Sequence, residues 1–465
     1  KDNSTLSIDR SVTAPKNLSH RDISVFWAPL AATWFMMAAE GPFIAAIVAR
    51  LPNPTLGLAA YGVAIAFAVL VEAPVIMLLS AATALVEDRV SYRRLRMFAN
   101  GLNAFATSLL LIVLIPAVHQ TVLVNLLGLP QDVARLTYGA LWCFLPWPAA
   151  IGYRRFLQGV LIRSGQTRLV AYGTVIRLLA MSLAAISFAA FTDLPGASVG
   201  AAALSAGVVT EALAARWMAR SAIAEVLGAM TTTPSEEPVT TVASSLPTSA
   251  LSYREIGAFY YPLALTSLIG LAIQPMLTFF MGRATSPVES LAVFPVVHSL
   301  GFLFRAVGLS FQEAVIALLG KGQEGYAELS SFALRLGLIM SGILATIAFT
   351  PLSSVWFETI SGLSPELADF AIPAIRVLSP VPFLGVWISL QRGVLVKNRT
   401  TGPITVATSA EVLTVAVVFS IVGWGFGWVG ITAAFTAFFC GRGISNLYLI
   451  PKIRLATDDN LRRTA

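Results

Sequence analysis

Two stretches of this 465-residue chain are alike, PWPAAIGYRRFLQGVLIRSGQT (residues 146–167) and PVPFLGVWISLQRGVLVKNRTT (residues 380–401). They align without a gap at an offset of 234 residues and share a Pro-x-Pro start, a Gly-Val-Leu triplet and a closing threonine. Each stretch is mostly apolar and ends with basic residues. The pattern predicts that one helical unit occurs twice, once in each half of the chain.

The composition is that of a membrane protein. Hydrophobic residues make up 56% of the chain, charged residues 12%, and the mean hydropathy is +0.77. A soluble chain carries about 25% charged residues. The fold class predicted is all-α and integral to the membrane, with about twelve transmembrane helices in two six-helix bundles. The twelve apolar runs lie near residues 24–49, 56–84, 95–117, 134–158, 168–191, 195–218, 255–281, 288–318, 329–352, 367–395, 402–422 and 428–450.

The likeness extends to the first helices of the two halves. The pairs matched at an offset of 233 residues include Pro29 and Pro262, Pro42 and Pro275, Arg50 and Arg283, and Pro54 and Pro287. Matches in register across several predicted helices do not arise from composition alone. Each half has an even number of spans, so the halves share one orientation and are related by a pseudo-two-fold axis along the membrane normal.

Polar and basic segments separate the bundles. The predicted divisions are an N-terminal tail (1–22), a first bundle (23–220), a linker (221–252), a second bundle (253–450) and a C-terminal tail (451–465). Basic residues concentrate in alternate loops, which predicts both termini and the linker in the cytoplasm and the protein in an inner or plasma membrane. The net charge of +7 is spread between the spans, so no nucleic-acid partner is expected.

Charged residues inside apolar runs are functional candidates, because a lone charge in hydrocarbon is costly. In the repeat alignment Glu72 falls on Arg305 and Arg177 falls on Glu411, so the halves carry opposite charges at two equivalent sites. Residues near a pseudo-two-fold axis meet their own counterparts. We therefore predict a Glu72–Arg305 ion pair that breaks and re-forms during gating, with a static pair or two separate water pockets as alternatives. An Arg177–Glu411 pair is the weaker prediction.

Further polar groups complete the candidate site. Arg154, Arg155 and Arg376 are expected at the cavity and its gates together with the two pairs. Arg154, Arg155 and Arg442 lie nearer the cytoplasmic ends of their spans, and for these three an extension to the membrane surface is the alternative. The candidates for ion coupling are Glu40, Glu72, Glu211 and His298. Arginine suits carboxylate and phosphate groups, so the excess of arginines favours an anionic substrate.

The two cysteines lie in apolar runs and form no metal-ligand spacing. No metal and no cofactor are expected, apart from possible coupling to a proton or sodium. No Walker, HExxH or acidic-pair motif is present, so the chain is predicted not to be an enzyme, with an integral-membrane enzyme as a remote alternative.

The repeats and linker resemble the multidrug/oligosaccharidyl-lipid/polysaccharide (MOP) exporter superfamily. EAVIALLGKGQEGYAELSSFALR (313–335) is similar to the loop after the eighth helix of MATE-type members. FYYPLAL (259–265) and the run from Arg376 to Thr401 look most like the progressive ankylosis protein family, in which Arg376 matches an arginine before Pro-Val-Pro. The resemblance implies a V-shaped pair of bundles around a central cavity and export of anions such as pyrophosphate, nucleotide or citrate.

The function predicted is a monomeric secondary active exporter that moves a small or amphiphilic organic anion by alternating access. The halves would rock about the central cavity, as in rocker-switch antiporters. A proton- or sodium-coupled multidrug exporter and a flippase for a lipid-linked substrate remain alternatives.

Overall fold

The computed structural model describes residues 18–228, 251–320, 323–398 and 400–464, with side chains described as far as Ile453. Within these ranges the chain is helical apart from short connections, and the only β feature is a single bridge between Thr285 and Val429. This confirms the all-α class. Residues 1–17 of the predicted N-terminal tail and residues 229–250 of the predicted linker lie outside the described ranges.

The first half forms six segments, and three of them are broken into two helices. Segments 1 to 6 are His20–Ala38 with Glu40–Val48, Pro54–Glu72 with Leu78–Leu85, Arg89–Val113, Gln131–Cys143 with Trp147–Arg163, Thr167–Phe191, and Gly196–Met218. Segment 3 is followed by a short helix, Pro116–His119, and a π-helical turn, Gln120–Leu126. A further helix, Arg220–Gly228, occupies the start of the predicted linker, where the sequence RSAIAEVLG has good helix formers.

The second half repeats this order. Segments 7 to 12 are Tyr253–Leu271 with Ile273–Met281, Pro287–Leu318, Tyr326–Phe349, Pro365–Leu378 with Val381–Lys397, Gly402–Phe419, and Gly430–Thr464. A short helix and a π-helical turn, Leu352–Ser354 and Val355–Ile360, again follow the third segment of the half, and another π-helical turn, Ser420–Gly425, follows segment 11. Segment 12 continues through the residues predicted to form a C-terminal tail, without ending at Pro451.

Nine helices of the described chain are long and apolar enough to cross a membrane, and segment 10 makes a tenth when its two helices, bent by 41°, count as one span. The protein is therefore integral to the membrane. The remaining two runs, predicted near 134–158 and 428–450, are helical as segments 4 and 12.

Prolines lie at the breaks in the segments. Pro146 and Pro380 stand between the two helices of segments 4 and 10, at equivalent positions of the repeat. Pro74 lies in the turn that interrupts segment 2 after Glu72. Proline has no N–H to donate and disfavours helical backbone in the residue before it, so these breaks follow from the sequence.

Local backbone features recur at the offset of the repeat. Ser19 and Ser252 each form a capping box at the start of the first helix of their half. Asn53 and Ser286 each adopt a left-handed conformation, with φ of 55° and 53°, before the proline that begins the next helix. The duplication predicted from the sequence is confirmed in the backbone.

The first helix of each half packs against the other half. Ile23 of segment 1 lies in a hydrophobic core built with segments 8 to 12, and Trp27 Nε1 donates to Ser310 Oγ over 2.8 Å. In the reverse direction the hydroxyl of Tyr260, in segment 7, donates to the carbonyl oxygen of Pro74. The two bundles are interlocked through these helices, and a cavity lies between them.

Candidate functional site

A cavity of about 460 Å³ lies between the two halves. Segments 1, 2, 4 and 6 form one wall, and segments 7, 8, 10, 11 and 12 form the other. The first wall carries the carboxylates Glu40 and Glu72, placed at the breaks of segments 1 and 2. The charged groups of the second wall are Arg305, Arg392, Glu411 and Arg442.

Glu411 is the centre of the charged cluster in the second half. Arg442 lies 3.0 Å from one oxygen of its carboxylate and Arg392 lies 4.0 Å from the other. Arg392 also donates to the hydroxyl of Thr408 over 3.2 Å. Only 2% of the Glu411 side chain is exposed, so its charge is balanced by these arginines and not by water.

Arg305 has no carboxylate within ion-pair distance in the part of the chain that the structure describes. Its guanidinium lies over two aromatic rings, 5.3 Å from the centre of Phe438 and 5.8 Å from that of Phe302. Arg442 lies 5.3 Å from the centre of the same Phe438 ring. The ring thus holds two guanidinium groups beside the cavity through cation–π contacts.

The charged cluster of the first half is buried and balanced. Arg177 pairs with Glu40, and its Nε lies 3.6 Å from Glu211. Arg154 also pairs with Glu211, to which Gln158 donates over 3.0 Å. Arg154 and Glu211 have side chains that are at most 4% exposed, and neither lines the cavity. These contacts offset the cost of placing the charges in the bundle interior.

The predicted Glu72–Arg305 ion pair is not formed in this structure. Glu72 accepts a hydrogen bond of 2.7 Å from Trp147 Nε1 and is attracted by Arg155 and Arg154 of its own half. Both members of the predicted pair line the cavity, but on opposite walls. Equivalence in the repeat gives no distance from the pseudo-symmetry axis, so a pair that forms in another conformation stays a prediction.

The Arg177–Glu411 pair is not formed in this structure either, because each residue is paired inside its own half. Arg376 does not line the cavity. It is exposed at the end of Pro365–Leu378, where its Nε donates to the carbonyl oxygen of Ala348 over 3.3 Å and its guanidinium lies over Phe349.

The other candidates divide between the cavity and its surroundings. His298 lines the cavity and stacks on Phe294, with 5.3 Å between ring centres. Arg155 lies behind the cavity wall, where it acts on Glu72 together with Arg154. No group of three or more His, Cys, Asp or Glu residues able to hold a metal ion occurs in the described ranges.

Two cavity arginines escaped the sequence reasoning in different ways. Arg392 was not predicted. The repeat alignment places it opposite Gln158, so the second half carries a charge where the first half has a neutral side chain. For Arg442 the sequence left open an extension to the membrane surface. It is instead turned inward to Glu411, and 9% of its side chain is exposed. Trp147 was also missed, because an indole hydrogen bond leaves no spacing signal.

Comparison with solved structures places this architecture among known folds. The chain superposes with a TM-score of 0.67 on a multidrug resistance MATE family transporter of the MOP superfamily in an inward-facing conformation, at 14% identity over 93% of this chain and 96% of that one. The lipid II flippase MurJ in an inward closed conformation gives 0.66, at 12% identity over 94% of this chain and 90% of MurJ. An outward-facing MATE family transporter of the same superfamily gives 0.57, at 15% identity over 97% and 98% of the two chains.

No protein-family model and no curated protein sequence matches the chain. Identities this low establish the fold alone. The chain has the MATE-like fold of the MOP superfamily, as its repeats and motifs predicted. The narrower resemblance to the progressive ankylosis protein family stays a prediction.

Proposed function

We propose that this protein is a secondary transporter that moves an amphiphilic organic anion through the central cavity by alternating access. The observation that carries the proposal is the charge of the second wall. Arg305, Arg392 and Arg442 lie around one carboxylate, that of Glu411. This leaves an excess of two positive charges. Because arginine binds carboxylate and phosphate oxygens well, an anionic ligand would balance them.

The first half contributes no comparable excess. Its carboxylates Glu40, Glu72 and Glu211 are matched in number by the guanidinium groups of Arg154, Arg155 and Arg177, which lie among them. An anion is therefore attracted to the second wall and finds a neutral cluster opposite.

The remaining cavity surface supports an amphiphilic ligand. Its apolar lining includes Ile65, Leu277, Phe302, Ile388 and Phe435. Ligand sites are mostly apolar, with a few polar groups that fix orientation. Pyrophosphate, citrate and nucleotides are the first soluble anions to test, and a lipid-linked anion is the candidate that uses the apolar lining most fully.

Coupling to a proton or to sodium is proposed for the carboxylates of the first half, Glu40, Glu72 and Glu211, with His298 as a further candidate. Carboxylates and histidines within membrane segments serve as proton relays in transporters. A pH gradient and a sodium gradient, imposed separately on the same vesicles, distinguish the two ions. Cytoplasmic termini and a monomeric state likewise remain part of the proposal.

The test is flux in liposomes. Purified protein is reconstituted, and uptake of radiolabelled pyrophosphate, citrate and nucleotide is measured below saturation. Arg305→Ala is expected to lower uptake at least tenfold, because a hydrogen bond to a charged group contributes about 1.5–3 kcal/mol and 1.4 kcal/mol corresponds to tenfold. Arg376→Ala is the matched control, since this arginine of the same half lies outside the cavity. We expect it to transport normally.

Other outcomes point elsewhere. Uptake of a cationic dye with no anion flux supports a multidrug exporter. Movement of a fluorescent lipid-linked anion across the bilayer, with no flux of soluble anions, supports a flippase. Equal loss in Arg305→Ala and Arg376→Ala contradicts the anion site.

A further inference from the structure

Arg50 joins the two halves at the end of segment 1. Its Nη2 donates to the carbonyl oxygens of Thr359 and Ile360, over 2.8 and 2.9 Å, and its Nη1 donates to that of Ala46, over 2.7 Å. Thr359 and Ile360 belong to the π-helical turn that follows segment 9, in the second half. The arginine thus connects its own helix end to the opposite half.

Arg283 makes the reciprocal connection from the second half to the first. Its Nη2 donates to the carbonyl oxygen of Asn125 over 3.0 Å. Asn125 lies in Gln120–Leu126, the π-helical turn of the first half. Arg50 and Arg283 are equivalent at the offset of 233 residues, so one contact occurs twice in opposite directions.

A glycine makes room for each arginine. Gly128 and Gly362 follow the two π-helical turns with φ of +71° and +76°, a conformation that favours glycine. A Cβ on Gly362 would lie 2.8 Å from Nη1 of Arg50, and a Cβ on Gly128 would lie 3.3 Å from Cγ of Arg283. The backbone is shaped to receive both side chains.

These contacts lie at the face opposite the starts of segments 1 and 7, which we call the far face. The halves also touch directly near it. A Cβ on Gly282 would lie 2.9 Å from the carbonyl oxygen of Leu127 in the other half, and one on Gly62 would lie 3.2 Å from that of Leu291. The far face is therefore closed in this conformation.

We propose that Arg50 and Arg283 form a pair of releasable latches that hold the far face closed. The inference rests on the proposed function, because alternating access requires each face to open in turn. Arg50 and Arg283 are exposed residues, and their guanidinium groups bind backbone carbonyls rather than buried carboxylates. Water can replace these partners when the halves separate, so the latches can open and re-form.

The experiment measures the separation of the halves directly, independently of transport. Cys143 and Cys440 are replaced by serine, and spin labels are placed on cysteines introduced at the exposed positions Thr121 and Glu358, one in each of the two π-helical turns. Double electron–electron resonance measures the distribution of distances between the two spin labels, with the protein in nanodiscs. In Arg50→Ala/Arg283→Ala we expect the ratio of the longer-distance to the shorter-distance population to rise about tenfold, equivalent to about 1.4 kcal/mol.

Arg135→Ala is the control, because this exposed arginine pairs with Asp132 inside its own helix and does not cross between the halves. Each single substitution, Arg50→Ala or Arg283→Ala, is expected to give an intermediate shift, and these variants serve if the double variant does not fold. An unchanged distribution in all three, or the same shift in Arg135→Ala, overturns the latches. A shift in a protein without anion flux supports the latches and refutes the proposed substrate.

Discussion

Replacing Glu411 by glutamine tests the charge balance of the cavity. Glu411 is the one carboxylate in the described chain that pairs with arginines of the second wall, at 3.0 Å from Arg442 and 4.0 Å from Arg392. Glutamine keeps the shape and removes the negative charge. We expect the empty protein to be less stable and the anion to bind more tightly.

Both effects have magnitudes that follow from the contacts. Removing one member of a buried ion pair costs about 3–5 kcal/mol, because it leaves the other charge uncompensated. An anion bound ~6 Å from the Glu411 carboxylate is repelled by about 2–3 kcal/mol at an effective dielectric constant of about 20. Loss of that repulsion corresponds to binding roughly 30–100-fold tighter.

Binding of radiolabelled anion to purified protein measures the affinity. Thermal unfolding with and without anion measures how far a bound anion raises the unfolding temperature of each variant. In Glu411→Gln we expect a lower unfolding temperature that saturating anion restores. Glu211→Gln is the matched control, since Glu211 also holds two arginines but lies away from the cavity. It should lose stability, and saturating anion should raise its unfolding temperature only as much as in the unsubstituted protein. Weaker anion binding in Glu411→Gln, or equal rescue of both variants, would refute the reasoning.

Two further substitutions test the packing around the site. In Gly441→Ala the new Cβ would lie 2.9 Å from the Glu411 carbonyl oxygen, so we expect a loss of about 1–3 kcal/mol, seen as a lower unfolding temperature. Gly342→Ala, where nothing lies within 4 Å, should be neutral. Trp147→Phe removes the hydrogen bond to buried Glu72 and is expected to cost about 1–3 kcal/mol by the same measurement, while Trp142→Phe, at an exposed tryptophan, should change little.

Much of the fold could be predicted from the sequence because its signals are local or repeated. Pro146 and Pro380 indicate the breaks of segments 4 and 10, and each of the twelve segments corresponds to an apolar run of the sequence. The match between Arg50 and Arg283 is visible in the sequence, but there it indicates only the repeat. What their side chains bind depends on how the halves meet, which no local pattern contains.

The charged pairs could not be predicted for the same reason. The alignment placed Glu72 opposite Arg305 correctly in register, but register does not give the distance of either residue from the axis. Glu72 found a partner in Trp147, a residue of its own half. The counterpart of Arg392 is the uncharged Gln158, so opposite charges at equivalent positions do not mark Arg392.

The two halves share one backbone arrangement but differ in their charged side chains. Gly207 and Gly441 occupy equivalent positions, where an added Cβ would lie 3.1 Å from the carbonyl oxygen of Arg177 and 2.9 Å from that of Glu411. Each glycine contacts the backbone of Arg177 or Glu411 and not the side chain. The helices can therefore pack closely in both halves although the two side chains have opposite charges. The first half has a buried, neutral cluster. The second leaves positive charge beside the cavity, so under the proposed function a symmetric fold would offer one anion site rather than two.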